Sequence, residues 1–142
     1  MKQYLLMTMG FLANLHRRVT MEAFHRAGIK RAQPWILDYL AENDGCIQRE
    51  LADHAHFDPA SITSALVGME ESDLIRRESV PDDKRALRVY LTEAGREKQR
   101  YVQQVFSNAE ETALRGFSQQ ERDLMESFLH RIQENFEKEA DK

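Results

Sequence analysis

The sequence predicts a mainly α (α+β) fold, a helix-turn-helix followed by a charged hairpin and flanked by long helices at both ends. Three observations carry this. Residues 58–69 join an aspartate–proline helix start to a single apolar stripe. After Asp73 the apolar period falls from that of a helix to that of a strand. Between two short strands lies a charged run of turn formers, Val80-Pro81-Asp82-Asp83-Lys84-Arg85-Ala86. Helix, turn, helix and hairpin in that order make a winged helix-turn-helix.

The first helix is predicted from about Tyr4 to Ala27, with Leu5, Leu12, Leu15 and Val19 on helical spacing and Gly28 as a left-handed stop. The second spans roughly Arg31 to Glu42, carries Trp35, Ile36, Tyr39 and Leu40, and ends at Asn43-Asp44-Gly45. Gln48 to Ala55 reads as a short third helix, with Leu51, Ala52 and Ala55 facing inward. In the fourth, Asp58 is the N-cap and Pro59 takes the first helical position, where its missing N–H costs nothing. Ile62, Ala65, Leu66 and Met69 then fall at i, i+3, i+4 and i+7, one buried stripe. Ala60, Ser61, Thr63 and Ser64 form the small, hydrogen-bonding face near its start.

Strands are predicted at Leu74–Ser79 and Leu87–Leu91, the second with Leu87, Val89 and Leu91 alternating against Arg88 and Tyr90. Thr92 caps a long helix to about Arg115, with Tyr101, Val102, Val105, Phe106 and Ala109 on one side. Ser118-Gln119-Gln120-Glu121 is a capping box opening a last helix that carries Leu124, Phe128, Ile132 and Phe136. Both terminal segments thus present apolar stripes without an evident partner in a small hairpin domain. They pack on each other or, as the helix-turn-helix motif favours, across a two-fold axis.

A chain of 142 residues with 42% hydrophobic content suits one unit with one core. Within 1–142, about 31–91 is the expected nucleic-acid-binding lobe, and about 1–28 and 92–142 are the expected dimerisation helices. No apolar run reaches the roughly 18–20 residues of a membrane span, so no membrane partner is expected. The apolar patch Tyr4–Leu12 lacks a small-residue cleavage site and reads as a helix, not a secretion signal. The single cysteine, Cys46, excludes an intramolecular disulfide and fits a reducing, cytoplasmic setting, where it reads as a buried structural thiol. His54 and His56 lack the companions of a metal site, and neither metal nor cofactor is expected. Nor is an enzyme: there is no phosphate-cradling glycine loop, zinc-protease spacing or serine elbow.

Net charge is −4, but its distribution is uneven. Residues 1–31 carry +5, 32–73 carry −8, 74–91 carry +2 and 92–142 carry −3. A sequence-blind polycation is excluded; a localised footprint is not.

The chain resembles the MarR family of bacterial regulators over nearly its whole length. The resemblance rests on Leu51-Ala52, on Ser61-Ile62-Thr63, on Leu74-Ile75 and above all on the run from Asp83-Lys84-Arg85 through Leu91-Thr92-Glu93-Ala94-Gly95. That run is similar to the family's D-x-R wing, its second wing strand and the start of the following helix. The resemblance implies a transcriptional regulator, most often a repressor, that binds double-stranded DNA as a homodimer on a pseudo-palindromic operator. It also implies release by a small aromatic effector held between the dimer helices and the wing lobe, with His16, Trp35 and Tyr39 as candidate contacts.

On DNA, such a lobe lays the fourth helix in the major groove, which puts Pro59, Ala60, Ser61, Thr63 and Ser64 at base edges. Arg85 is expected at the wing tip and in the minor groove, where narrow A·T-rich segments concentrate negative potential. Asp83 is expected to orient its guanidinium, and Lys84 stands beside it. Lys30, Arg31, Arg76, Arg77 and Arg88 are the expected phosphate contacts, joined by Lys84. Two departures from the family pattern stand out. The groove-entering half of the fourth helix has no Lys or Arg, so binding is expected to lean on the wing. Asp73 occupies a turn where glycine is common, a position Asp tolerates better than most residues. The acidic lobe keeps a second reading open, a winged-helix interaction adaptor with weak or no DNA binding.

Overall fold

The structure, a computed structural model, describes residues 4–142. The chain divides into two compact units, one ending at Ala109 and one running from Glu110 to Lys142. The first contains α1 (Leu5–Arg26), α2 (Gln33–Glu42), β1 (Cys46–Ile47), α3 (Gln48–His54), α4 (Pro59–Glu71), β2 (Ile75–Val80), β3 (Asp83–Leu91) and most of α5 (Glu93–Ala113). The second contains α6 (Gln119–Ala140). The strands form one antiparallel sheet in the order β1-β3-β2, with Cys46 opposite Val89 and Arg77 opposite Val89 from the other side. The fold is the expected winged helix-turn-helix, mainly helical with a small sheet.

The core of the first unit gathers Phe24, Ile36, Leu37, Leu40, Leu51, Leu66, Val89 and Val102 around α4. Ile62, Leu66 and Met69 are buried as their spacing requires, and Ala65 is half-buried beside them. Two helix ends steer the chain by the same device. Beyond α1, Gly28 has φ 71°, its N–H donates to His25 O at 3.1 Å, and the Ile29 N–H donates to Phe24 O at 2.9 Å. Beyond α4, Asp73 has φ 59°, its N–H donates to Glu70 O at 3.1 Å, and the Leu74 N–H donates to Met69 O at 2.8 Å. Each is a Schellman turn whose apolar pair, Phe24–Ile29 or Met69–Leu74, is buried.

The turn after α4 is sealed from the other side. The Thr92 hydroxyl donates to Asp73 O and accepts from the Gly95 N–H at 3.0 Å, capping α5 as expected. A Cβ on Gly95 would lie 1.9 Å from Leu74 O, so only glycine fits there. Further along α5, Lys98 Nζ reaches Ala27 O at 2.8 Å and Tyr101 Oη reaches Ala23 O at 3.0 Å, satisfying carbonyls at the end of α1.

Two boundaries differ from expectation. α2 begins at Gln33, not Arg31, because Arg31 takes the left-handed conformation (φ 41°) and Pro34 is tolerated only in the first helical turn. The wing turn is also far shorter than the seven residues expected. Only Pro81 and Asp82 separate the strands, and β3 already starts at Asp83. Val80 pairs with Asp83 but Ser79 pairs with Leu87, so Lys84, Arg85 and Ala86 form an irregularity within the ladder.

In the second unit Ser118 and Glu121 form the predicted capping box, with Ser118 Oγ accepting at 3.2 Å and Glu121 Oε2 accepting at 2.7 Å. Leu124, Phe128 and Phe136 are each more than half exposed. On α1, Leu5, Leu12 and Val19 are likewise 57–70% exposed. No described helix is long and apolar enough to cross a membrane.

Asp73 sits where glycine carries no Cβ penalty, so Asp73→Gly should raise the stability of the lobe by up to about 1 kcal/mol. Denaturant unfolding checks this; an unchanged or lower midpoint would show that the aspartate relieves its own strain.

Candidate nucleic-acid interface

The N-terminal half of α4 is held by its cap. Asp58 Oδ1 accepts from the Ser61 N–H at 2.9 Å, and Oδ2 accepts from the Ser61 hydroxyl at 2.6 Å. The Ser61 hydroxyl, then its N–H, holds the exposed Asp58 carboxyl below the usual carboxylate range. With Ile62, Leu66 and Met69 turned inward, Pro59, Ala60, Thr63 and Ser64 face solvent and Ser61 is half-buried. Two of the five candidate base readers are therefore committed as donors. Ser61 gives its proton to Asp58, and Thr63 Oγ1 gives its own to Pro59 O at 2.9 Å. Each keeps acceptor capacity, and Thr63 keeps an outward methyl group, for a base edge.

Lys30 and Arg31 are exposed in the α1–α2 loop and line one cleft with Ala60, Ser61 and Ser64. Arg85 is exposed in the wing, with Lys84 and Asp83 beside it. Asp83 does not orient the Arg85 guanidinium as expected: its Oδ1 accepts from the Arg85 backbone N–H at 2.9 Å. The aspartate shapes the ladder irregularity that presents Arg85, and the guanidinium is left to find its partner outside the hairpin.

The remaining expected phosphate contacts divide. Arg88 Nη1 donates to Gly45 O at 3.0 Å. Arg76 lies 4.4 Å above the Tyr90 ring and pairs with Glu78 at 3.2 Å, yet stays 52% exposed. Arg77 turns inward, only 18% exposed, and pairs with Glu70. Its strand position, alternating with Arg76, points it at the helices instead of solvent. One cation escaped sequence reasoning. Arg49 is the only Lys or Arg between residues 32 and 73, and it lines a groove between α3 and the wing together with Arg85. Its isolation in an acidic segment was the available signal.

A second cleft, of about 460 Å³, opens beside this face. Phe24, Trp35, Phe57 and Phe106 supply its aromatic lining, and Arg17, Arg31 and Asp58 its charges. His16 lies in the wall, stacked on Phe106 at 6.0 Å. Of the candidate effector contacts, His16 and Trp35 thus share a cleft. Tyr39 stands outside its lining, stacked on Trp35 at 5.0 Å and near the His54 ring at 5.8 Å. Burial, then Glu50 and Asp44, pushes the Cys46 thiol up, which makes it a poor nucleophile.

Residues 27–86, the segment that holds α2, α3, α4 and the wing, match the MarR family. In this segment the chain is similar to that family. YybA of Bacillus subtilis (strain 168), an uncharacterized HTH-type transcriptional regulator, is 24% identical over 135 residues, 95% of this chain and 90% of that protein. Among solved structures, MarR is 25% identical with a TM-score of 0.83, covering 98% of this chain and 95% of that one. A Listeria monocytogenes protein described as a MarR-family transcriptional regulator, complexed with a 26mer DNA, has a TM-score of 0.86 at 24% identity. That match covers 95% of this chain and 89% of the Listeria one. The lobe is a full winged helix-turn-helix whose fourth helix lacks Lys and Arg and whose wing carries them.

Because the Asp58 carboxyl is lowered in the folded chain, its stabilising contribution is present above the ordinary aspartate value and lost as pH falls through the folded one. Asp58→Ala should therefore unfold more readily than the wild-type chain at neutral pH, and the gap should narrow at an acidic pH below the ordinary aspartate value. Denaturant titrations at both pH values measure it; a gap independent of pH would assign the cap no ionic character.

Proposed function

We propose that this chain is a DNA-binding transcriptional regulator, a repressor that acts as a homodimer on a pseudo-palindromic operator and is released by a small aromatic effector. The observation that carries the DNA reading is the pairing of two exposed surfaces on one lobe. The small polar start of α4 suits a major groove, and the Arg85 wing suits the adjacent minor groove. The Listeria neighbour solved with a 26mer DNA supports carrying that mode over to this chain.

The exposed apolar faces of α1 and α6 support the homodimer, since uncovered Leu, Phe and Val in such number mark an association surface. Two copies of the lobe would then read two half-sites about one helical turn apart. The aromatic cleft supports the effector: Trp35, Phe57 and Phe106 offer ring faces, and Arg17 and Arg31 offer cations to an acidic substituent. Its wall includes Asp58 and Ser61, so an occupant touches the start of α4 directly.

Binding to random-sequence duplex at low salt tests the reading as a whole. A regulator of this design binds detectably; absence of binding would favour the adaptor reading, which the acidity of the lobe keeps in play. Within the DNA reading, Arg85→Ala should weaken operator binding by roughly 1–3 kcal/mol and flatten the salt dependence by about one unit. A gel-shift titration over several salt concentrations reads both, and an unchanged affinity and slope would remove Arg85 from the interface.

A further inference from the structure

Arg77 is the best-satisfied exposed-element cation in the described lobe, and none of its bonds points toward a nucleic acid. Nε donates to Glu70 Oε2 at 3.1 Å and Nη2 to Glu70 Oε1 at 3.0 Å, a two-pronged fork. Nη1 donates to Gln48 Oε1 at 3.2 Å. The pair is mutually reinforcing: hydrogen bonding to Arg77 holds the Glu70 carboxyl below its ordinary value, and Glu70 holds the guanidinium above its own. One planar group thus ties β2 to the last turn of α4 and to the first residue of α3.

We propose that Arg77 and Glu70 set the angle between wing and recognition helix, and so determine which spacing of minor-groove and major-groove sequence this chain accepts. This rests on the DNA-binding reading above. The hairpin is a short lever. Arg77 stands four residues before Pro81, about 13 Å along an extended strand, so a tilt of about 10° at that point moves the tip by about 2 Å. Such a shift exceeds the tolerance of a hydrogen bond to a base or phosphate. Apolar packing holds only the root of the hairpin: Ile75 is the one buried residue on β2, and on β3 burial stops at Val89, directly opposite Arg77. The fork supplies a directional restraint where the hydrophobic contact ends. Arg77 is accordingly a positioning residue, acting through Arg85 and through Ala60, Thr63 and Ser64.

The two partners make the proposal testable, since a phosphate contact and a positioning clamp respond oppositely to loss of Glu70. Glu70→Gln removes a negative charge and releases the guanidinium; an arginine that neutralised phosphate would then bind DNA more tightly. A clamp weakens instead. The experiment measures operator affinity across a salt series for the full chain and for Glu70→Gln, Arg77→Lys and Arg77→Met, with selection of bound sequences from a random pool. Thermal unfolding of each variant accompanies it. The expected result for Glu70→Gln and Arg77→Met is about tenfold weaker binding with the wild-type salt slope. Selected sites should lose preference at the wing-contacted positions while keeping it at those read by α4, and Arg77→Lys should fall between. Should Arg77→Met fail to fold, Glu70→Gln carries the test, because that carboxylate is 42% exposed and its loss leaves the core intact. Glu70→Gln binding as tightly as the wild type or tighter, a salt slope lowered by about one unit in Arg77→Met, or a uniform loss of preference at all positions would each overturn the proposal. A wild-type chain that bound no duplex would overturn the DNA reading, and this proposal with it; the other outcomes leave that reading standing.

Discussion

The burial of Ile62, Leu66 and Met69 is the constraint on which this lobe depends. Each is essentially removed from water, worth about 1.5–3 kcal/mol per side chain, and all three project from one side of α4. That fixes the rotation of the helix about its own axis. Once it is fixed, Ala60, Thr63 and Ser64 have nowhere to face but outward, and the Asp58 cap and the Asp73 turn fix where the helix starts and stops. The candidate base-reading face is the remainder left by core packing, with no separate device needed to expose it.

The acidity of residues 32–73 looks at first like an obstacle to binding a polyanion. Much of it is occupied within the fold. Asp44 accepts from the Leu91 N–H and from Arg96, and Glu50 accepts from the Ile47 N–H. Asp58 caps α4, and Glu70 holds Arg77. These carboxylates stitch loops and helix ends to their neighbours, a task for which an acceptor-only group is suited. The field a polyanion meets is then shaped by the exposed cations nearby: Lys30 and Arg31 on one flank, Arg49, Lys84 and Arg85 on the other.

How much was legible in the sequence depended on how local each feature is. The Asp58-Pro59 start, the Gly28 stop, the Ser118 capping box and the buried stripe of α4 are decided within a few residues, and all are as the residue pattern requires. The pairing of Arg77 with Glu70 had no local signature, because it is settled by strand alternation and by the approach of α4, not by neighbours in the chain. The wing tip is shorter than its charged turn formers suggest, because Lys84 to Ala86 are accommodated as an irregularity in β3. Arg31 in a left-handed conformation had no local signature at all. The family resemblance pointed to α4 and the wing as the candidate DNA-facing elements. It carried no information on which hydroxyls are already spent, and only the local geometry reveals that Ser61 and Thr63 have acceptor capacity left to offer.

The contact at Gly95 has a mechanical consequence. With its Cα against the Leu74 carbonyl and Thr92 bonded to Asp73, the seam between the turn after α4 and the start of α5 has no slack. Such a seam behaves as a weld. A long helix welded there passes any turn at its start straight to the end of α4, as a handle passes a twist to its blade.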